Sequence, residues 1–350
     1  MAEVLGIGMH HTPHYRYPVG PLGGFLKRLL ARPSVPDEMR DPRSWPEGMR
    51  AELGDDGGLA AMQETRRLHE AALRRLRVEL DAFAPDLLVI FGDDQRENFQ
   101  EEIIPPFCLH VYDTVDTLPF HDEPAGMGQP TVWGRPPDEV VTFRGHKAAA
   151  LHLSRELIAR GFDMPYALRP RDKHGLAHAH LNTVMFLDYD LQGFPYPVVP
   201  ISVNCLGSDV FAMLGVRPDG DDADAPPPGP TPRRCFELGQ AVRAILEASP
   251  WRAAIVGSSA WSHCFLTRKT HGLWADLEAD RARFAELQAG RQAAWRDLTT
   301  EEVVAAGQHE MLNWICLAGA VADRTPEILA WTQLYVGAGH CVALFRPEGG

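Results

Sequence analysis

Residues 86–99 read DLLVIFGDDQRENF, and the reading of this stretch decides the fold. Leu87 to Gly92 form an unbroken, almost wholly apolar run. A strand with one wet face would alternate polar and apolar residues, so the run is expected to be a strand buried on both faces, as in a parallel sheet covered by helices. It stops abruptly on Asp93, Asp94 and Gln95, followed by Arg96 and Glu97. Such an ending is either an ordinary polar loop or the rim of an active site.

Three further apolar runs end the same way. EVLGIG leads into Met9, His10 and His11; PVVPISV leads into Asn204 and Cys205; RAAIVG leads into Ser258, Ser259 and then His263. Ligands of open α/β sheets bind outside the carboxyl ends of the strands, so four strand ends carrying reactive groups favour the active-site reading. Helical patterns fill the gaps. GLAAMQETRRLHEAALRRLRVELDAF is amphipathic, HKAAALHLSRELIARG closes on Gly161, and RRCFELGQAVRAILEAS precedes the fourth strand. DLEADRARFAELQAGRQAAWRDL and HEMLNWICLAGAVAD follow it. The expected fold is α/β: a single domain over residues 1–350, with a central, mostly parallel sheet flanked by helices and the active site at the strand carboxyl ends. Residues 32–58, rich in Pro, Gly and Asp, and residues 216–234, VRPDGDDADAPPPGPTPRR, read as loop insertions.

Composition narrows the function. The chain has 350 residues, 45% hydrophobic and 23% charged, with a formal net charge of -13. That balance suits a globular protein and argues against a nucleic-acid partner or an anionic membrane surface. It leaves room for a small anionic substrate held by local Arg or Lys. The six cysteines include no CxxC pair, which suits reduced thiols. With no basic leader and no apolar run of roughly 20 residues, the expected location is the cytoplasm.

Among chemistries, two histidines and a carboxylate with open positions would suit a non-haem iron. His10 and His11 follow the first strand, and GQHEMLNW puts Glu310 at a helix start, where its charge also suits the helix dipole. The plainer alternative makes Glu310 an ordinary first-turn acid and most of the 15 histidines packing residues. VGSSAWSH has Trp261 where a nucleophile elbow needs glycine, and neither a phosphate-binding P-loop nor a dinucleotide-binding glycine motif is present.

Taken in order, GIGMHHTP, LLVIFGDDQRENF, FRGHKAAALHLSRELIARGFD, HGLAHAHLN, VVPISVNC, AAIVGSSAWSH and GQHEMLNWICLAGA resemble the class III extradiol ring-cleavage dioxygenases, the family of the protocatechuate 4,5-dioxygenase β subunit. The DDQ subgroup looks nearest to 3-O-methylgallate and gallate enzymes. The resemblance implies Fe(2+), a small catechol-type aromatic substrate and O2. It implies His11 and Glu310 as metal ligands, His263 as the catalytic acid and base, and His178 as a catalytic residue lining the pocket, with His180 beside it. Arg268, like Arg96 and Lys269, is a candidate partner for a substrate carboxylate. Gln95 stands where the family has its second metal histidine. Either Gln95 binds the metal, or His10, His14 or Asp94 takes the place, or the site has lost iron. In that last case the chain would be a binding protein or a metal-dependent hydrolase. A homodimer is the base-rate expectation, and the sequence leaves open the need for a separate small subunit.

Overall fold

The apolar runs become the middle of one eight-stranded sheet. The computed structural model describes residues 2–100, 102–121, 129–172, 174–207 and 227–347. Ten strands lie among them: β1 (Val4–Met9), β2 (Leu87–Asp93), β3 (Phe107–His110), β4 (Thr114–Thr117), β5 (Val141–Arg144), β6 (Tyr166–Ala167), β7 (Val198–Val203), β8 (Ala253–Ser258), β9 (Glu327–Gln333) and β10 (Gly339–Phe345). The main sheet has the order β6-β3-β7-β2-β8-β1-β10-β9, while β4 and β5 form a separate hairpin-like pair. Strands β7, β2, β8 and β1 run parallel. Antiparallel neighbours close both sides, β3 against β7 and β10 against β1. The sheet is therefore mostly parallel at its centre, as expected.

Every residue of β1, β2, β7 and β8 is buried, because helices cover both faces. Successive strand residues point to opposite sides. Val89 and Phe91 join a core with Val242, Ile245, Ile315 and Leu317, from the helices Pro232–Glu247 and Met311–Ala320. Leu88 and Ile90 join another with Leu73, Leu76 and Leu80, from the helix Leu59–Phe83. Each such leucine contributes about 1.5–3 kcal/mol through burial. The outer face of that helix carries i,i+4 ion pairs, Arg75–Glu79 and Arg77–Asp81.

Register sets the four parallel strands' carboxyl ends along one edge: Met9 lies beside Ser258, Phe91 beside Gly257, and Asp93 beside Val203. Trp314 ties two of these ends together. Its indole Nε1 donates to the carbonyls of Met9 and Ser259, both at 3.1 Å. The ring lies over Gly8, where a Cβ would overlap it.

Several elements differ from the sequence reading. DLEADRARFAELQAGRQAAWRDL is not one helix: the helix Leu277–Gln288 stops before Gly290, at φ 66°, and a 3-10 turn follows at Gln292–Asp297. The Gly290 and Arg291 amides return to the Leu287 and Glu286 carbonyls, which closes the helix end. Within 216–234, residues 216–226 lie outside those described, and Pro232–Arg234 open a helix capped by the Thr231 hydroxyl. Residues 32–58 contain 3-10 turns and the helix Glu47–Leu53, whose Met49 and Leu53 are buried. All six cysteines are buried and free. No described helix is long and apolar enough to cross a membrane.

Candidate metal centre

His11 leaves the end of β1 with its ring fixed. Its Nδ1–H donates to the Ser258 carbonyl at 3.0 Å, and the Asn182 amide donates to the His11 carbonyl at 3.0 Å. The lone pair is therefore on Nε2, which lies 3.4 Å from Asp93 Oδ1 and 3.6 Å from Glu310 Oε2. His263 repeats the arrangement. Its Nδ1–H donates to the Trp261 carbonyl at 2.9 Å, and Nε2 lies 3.4 Å from Glu310 Oε2. His178, at the start of the helix His178–Leu187, has its Nδ1 against the Glu97 carboxylate. His11, Asp93 and His178 each bring a donor atom within 4.8 Å of the other two. Fixing one ring nitrogen of each imidazole orients the other, the usual outer support of a metal-binding histidine.

The carboxylates come from widely separated parts of the chain. Asp93 is the last residue of β2, and Glu310 caps the helix Met311–Ala320. The Ser259 hydroxyl donates to the Glu310 carbonyl at 2.7 Å. Gln95 bridges the two acids: its Nε2 donates to Asp93 Oδ2 at 2.8 Å and to Glu310 Oε1 at 3.1 Å. Asn313 donates to Asp93 Oδ1 at 3.3 Å. Burial, with Asp93 nearby, pushes the Glu310 carboxyl well above its ordinary range. Burial also takes His11 and His263 down to about 4, so both imidazoles are neutral at pH 7. Neutral lone pairs aimed at carboxylate oxygens repel unless a proton or a cation lies between them. Buried N and O donors converging in this way fit a divalent metal ion.

The structure brings His11, Gln95, Glu310, His263 and His178 together. His10 turns the other way, into a nest with Tyr15, His69 and His340. His14 sits on the 3-10 turn Pro13–Arg16, its ring 6.1 Å from that of Phe25. Asp94 accepts from the Asn98 and Phe99 amides, so its carboxylate holds the loop. His180 is buried behind the strand ends, with Nε2 turned to the Ile201 carbonyl at 3.4 Å. Arg268 lines a cavity of about 570 Å³ with Cys205, Leu206, Lys269 and His309, the residue preceding Glu310. Lys269 is paired with Asp276. Ser259, the residue nearest to a serine nucleophile in sequence, spends its hydroxyl on Glu310.

Two contributors escape the sequence reading, Asp93 as a candidate donor and Glu97 as the anchor of His178. Glu97 accepts from the Gln95 amide at 2.6 Å and the His178 amide at 3.1 Å. Burial alone would raise its carboxyl, but the charge and hydrogen bonds of His178 prevail and hold it at about 2. Both residues lie in the opening stretch, but their placement depends on its turn. Arg96 adopts φ 71°, and this tight left-handed turn folds Gln95 and Glu97 back beside Asp93.

Comparison with known proteins finds ring-opening dioxygenases. Residues 225–346 match the family model described as the catalytic LigB subunit of aromatic ring-opening dioxygenase, a span holding His263 and Glu310. A 2,3-dihydroxyphenylpropionate/2,3-dihydroxicinnamic acid 1,2-dioxygenase of Comamonas testosteroni is 27% identical over 55% of this chain and 48% of its own. The corresponding enzyme of Cupriavidus necator is 24% identical over 75% of this chain and 83% of its own. A gallate dioxygenase of Pseudomonas putida is 26% identical over 54% and 49%. The chain spans about half the length of the first and last of these relatives. Over residues 225–346 the chain is thus similar to the catalytic LigB subunit of aromatic ring-opening dioxygenases.

Proposed function

We propose that the protein is a ferrous-iron extradiol dioxygenase that opens a catechol-type aromatic ring with both atoms of O2. The observation that carries this reading is the convergence of anchored imidazoles on two buried carboxylates at the strand ends. The names of the relatives support a vicinal diol with an acidic side group, as in dihydroxyphenylpropionate and gallate. When bound, held by residues of this site such as His11 and Glu310, ferrous iron would supply the one-electron chemistry that lets a catechol-type ring react with O2.

The protein's own groups do the rest. His11 and Glu310 serve as metal donors, and Gln95 shares their site. His263 takes a ring-hydroxyl proton at Nε2, since Nδ1 is committed to Trp261, and returns it later in the reaction. Its low proton affinity keeps it in the base form before substrate arrives. His178, steadied by Glu97, presents Nε2 to a substrate hydroxyl. Arg268 is the partner for the substrate carboxylate, approached through the cavity beside His309. His180 supports the pocket from behind. In this reading the whole chain is one catalytic domain acting in the cytoplasm as a homodimer.

The test is oxygen uptake by protein loaded anaerobically with Fe(II). The substrates are protocatechuate, gallate, 3-O-methylgallate, 2,3-dihydroxyphenylpropionate and catechol. Uptake with a new near-ultraviolet product is expected for at least one acidic diol. No uptake from any of them by iron-loaded protein would reject the reading.

A further inference from the structure

Gln95 stands where a second metal imidazole is expected, yet the two atoms it turns toward the centre are amide hydrogens. Its Nε2 serves Asp93 Oδ2 and Glu310 Oε1. An amide nitrogen has two hydrogens and no lone pair for a cation, so the interaction that Gln95 makes is with the acids. It occupies one oxygen of each acid. The other two, Asp93 Oδ1 and Glu310 Oε2, lie 3.4 and 3.6 Å from the same atom, His11 Nε2. Donors about 2.1 Å from a shared ion, at right-angled to tetrahedral spacing, lie about 3.0–3.4 Å apart. These separations are close to that range.

We infer that Asp93 replaces the family's second histidine, so the metal is held by His11, Asp93 and Glu310. Gln95 is a positioning residue that keeps the two carboxylates side by side. The inference rests on the proposed metal site and deepens it. It also changes the chemistry. One imidazole and two carboxylates carry one more negative charge than two imidazoles and one carboxylate, and the harder oxygen-rich set suits Mn(II) as well as Fe(II). Asn313, donating to Asp93 Oδ1 from the helix that Glu310 caps, adds a second link between the acids.

The probe is Mn(II), titrated into the metal-stripped full-length chain and followed by loss of the free-ion electron paramagnetic resonance signal. This readout does not depend on turnover. The parent is expected to bind one ion. Asp93→Asn keeps the size of the side chain and should weaken binding at least as much as Glu310→Gln, by about 100-fold or more. Gln95→Leu should cost about 10-fold, the scale of a residue that orients a ligand. Retained Mn(II) affinity in Asp93→Asn, together with loss in Gln95→Leu, would overturn the inference in favour of Gln95 as ligand. Circular dichroism monitors folding. If Asp93→Asn does not fold, infrared difference spectra of the parent decide: two carboxylate bands shift on Mn(II) binding if both acids are ligands, and a single shift overturns the inference. Failure of the parent to bind any ion would overturn both this inference and the metal site itself. Mn(II) binding without ring cleavage would count only against the proposed reaction.

Discussion

Two histidines follow β1 in immediate succession, and they enter opposite worlds. His11 meets Asp93 and Glu310, with its Nδ1 fixed by a carbonyl. His10 packs among the rings of Tyr15, His69, His340 and Phe186, at centroid separations of 4.4 to 5.8 Å. Neither of its ring nitrogens has a hydrogen-bond partner among the described residues. His69 and His340 each spend Nε2 on a threonine hydroxyl, those of Thr332 and Thr12. Both nests are buried, and burial lowers the imidazoles of both. The difference lies in the carboxylates. Where acids face the rings and one nitrogen is anchored, the other nitrogen is aimed and ready to bind. Where no acid among the described residues faces them, the same side chains serve as flat core residues with a polar penalty.

Substitution of the two neighbours should therefore have opposite outcomes. His11→Ala is expected to abolish oxygen uptake and weaken metal binding by at least about 100-fold, beyond the loss typical of residues that only orient a ligand. Calorimetric titration of the stripped protein reads this directly. Unchanged affinity would end the distinction between the nests.

A third buried acid sharpens the rule, because it faces no imidazole among the described residues. Asp280 accepts from the Ser262 amide and the Gln308 side chain through Oδ1, while Oδ2 has no partner among the described residues. Burial pushes its carboxyl up to about 7. Between pH about 4 and 7 the unfolded chain has lost this proton and the folded chain retains it, so its contribution to stability falls as pH rises through that window. Three pKa units correspond to about 4 kcal/mol. Asp280→Asn keeps the Oδ1 acceptor and should flatten this part of the profile. Denaturant unfolding of parent and variant at pH 5 and pH 8 provides the comparison, and identical slopes would contradict it.

Weakening an anchor while leaving the imidazole in place is a gentler intervention. Glu97→Gln keeps an acceptor for His178 but removes the charge. It should lower kcat about 10-fold with little change in KM, a split visible in steady-state oxygen uptake. The smallest effect belongs to the other nest. His10→Leu removes two unpaired buried nitrogens and should leave stability within about 1 kcal/mol of the parent, or raise it. Metal affinity should stay unchanged. A large loss of affinity on this substitution would mean that the nests communicate.

Much of this was legible in the sequence. All four apolar runs are strands of one sheet, and their polar sequels line one edge, because a buried parallel strand can turn polar only where it leaves the helices. His11 and His263 stood at those exits, and Glu310 at a helix start. The rest depended on side-chain direction, which periodicity reports only inside an element. His10 and His11 lie beyond the last strand residue, so nothing in their spacing tells which one turns toward Asp93. In DDQ, the middle residue serves the loop while its neighbours serve the site, and the turn at Arg96 that sorts them depends on a backbone angle that composition does not reveal. Strands β9 and β10 passed unnoticed for another reason. ILAWTQ and HCVALF are short runs without reactive sequels, and their antiparallel pairing gives them no helix between to mark them.

The position of β1 has a consequence for how the molecule is made. β1 is inserted between β8 and β10, and the carbonyl that steadies His11 belongs to a residue 247 positions later. A ribosome thus releases the first strand long before either of its neighbours exists. Until then its apolar side chains have no sheet to enter, which makes the nascent chain a natural client for a holding chaperone. The donors contributed by the early and late parts of this sequence meet only after Glu310 has been made. A metal ion could be gripped by all of them only once both parts are made and folded together, so metal capture would double as a check that β1 has found its neighbours.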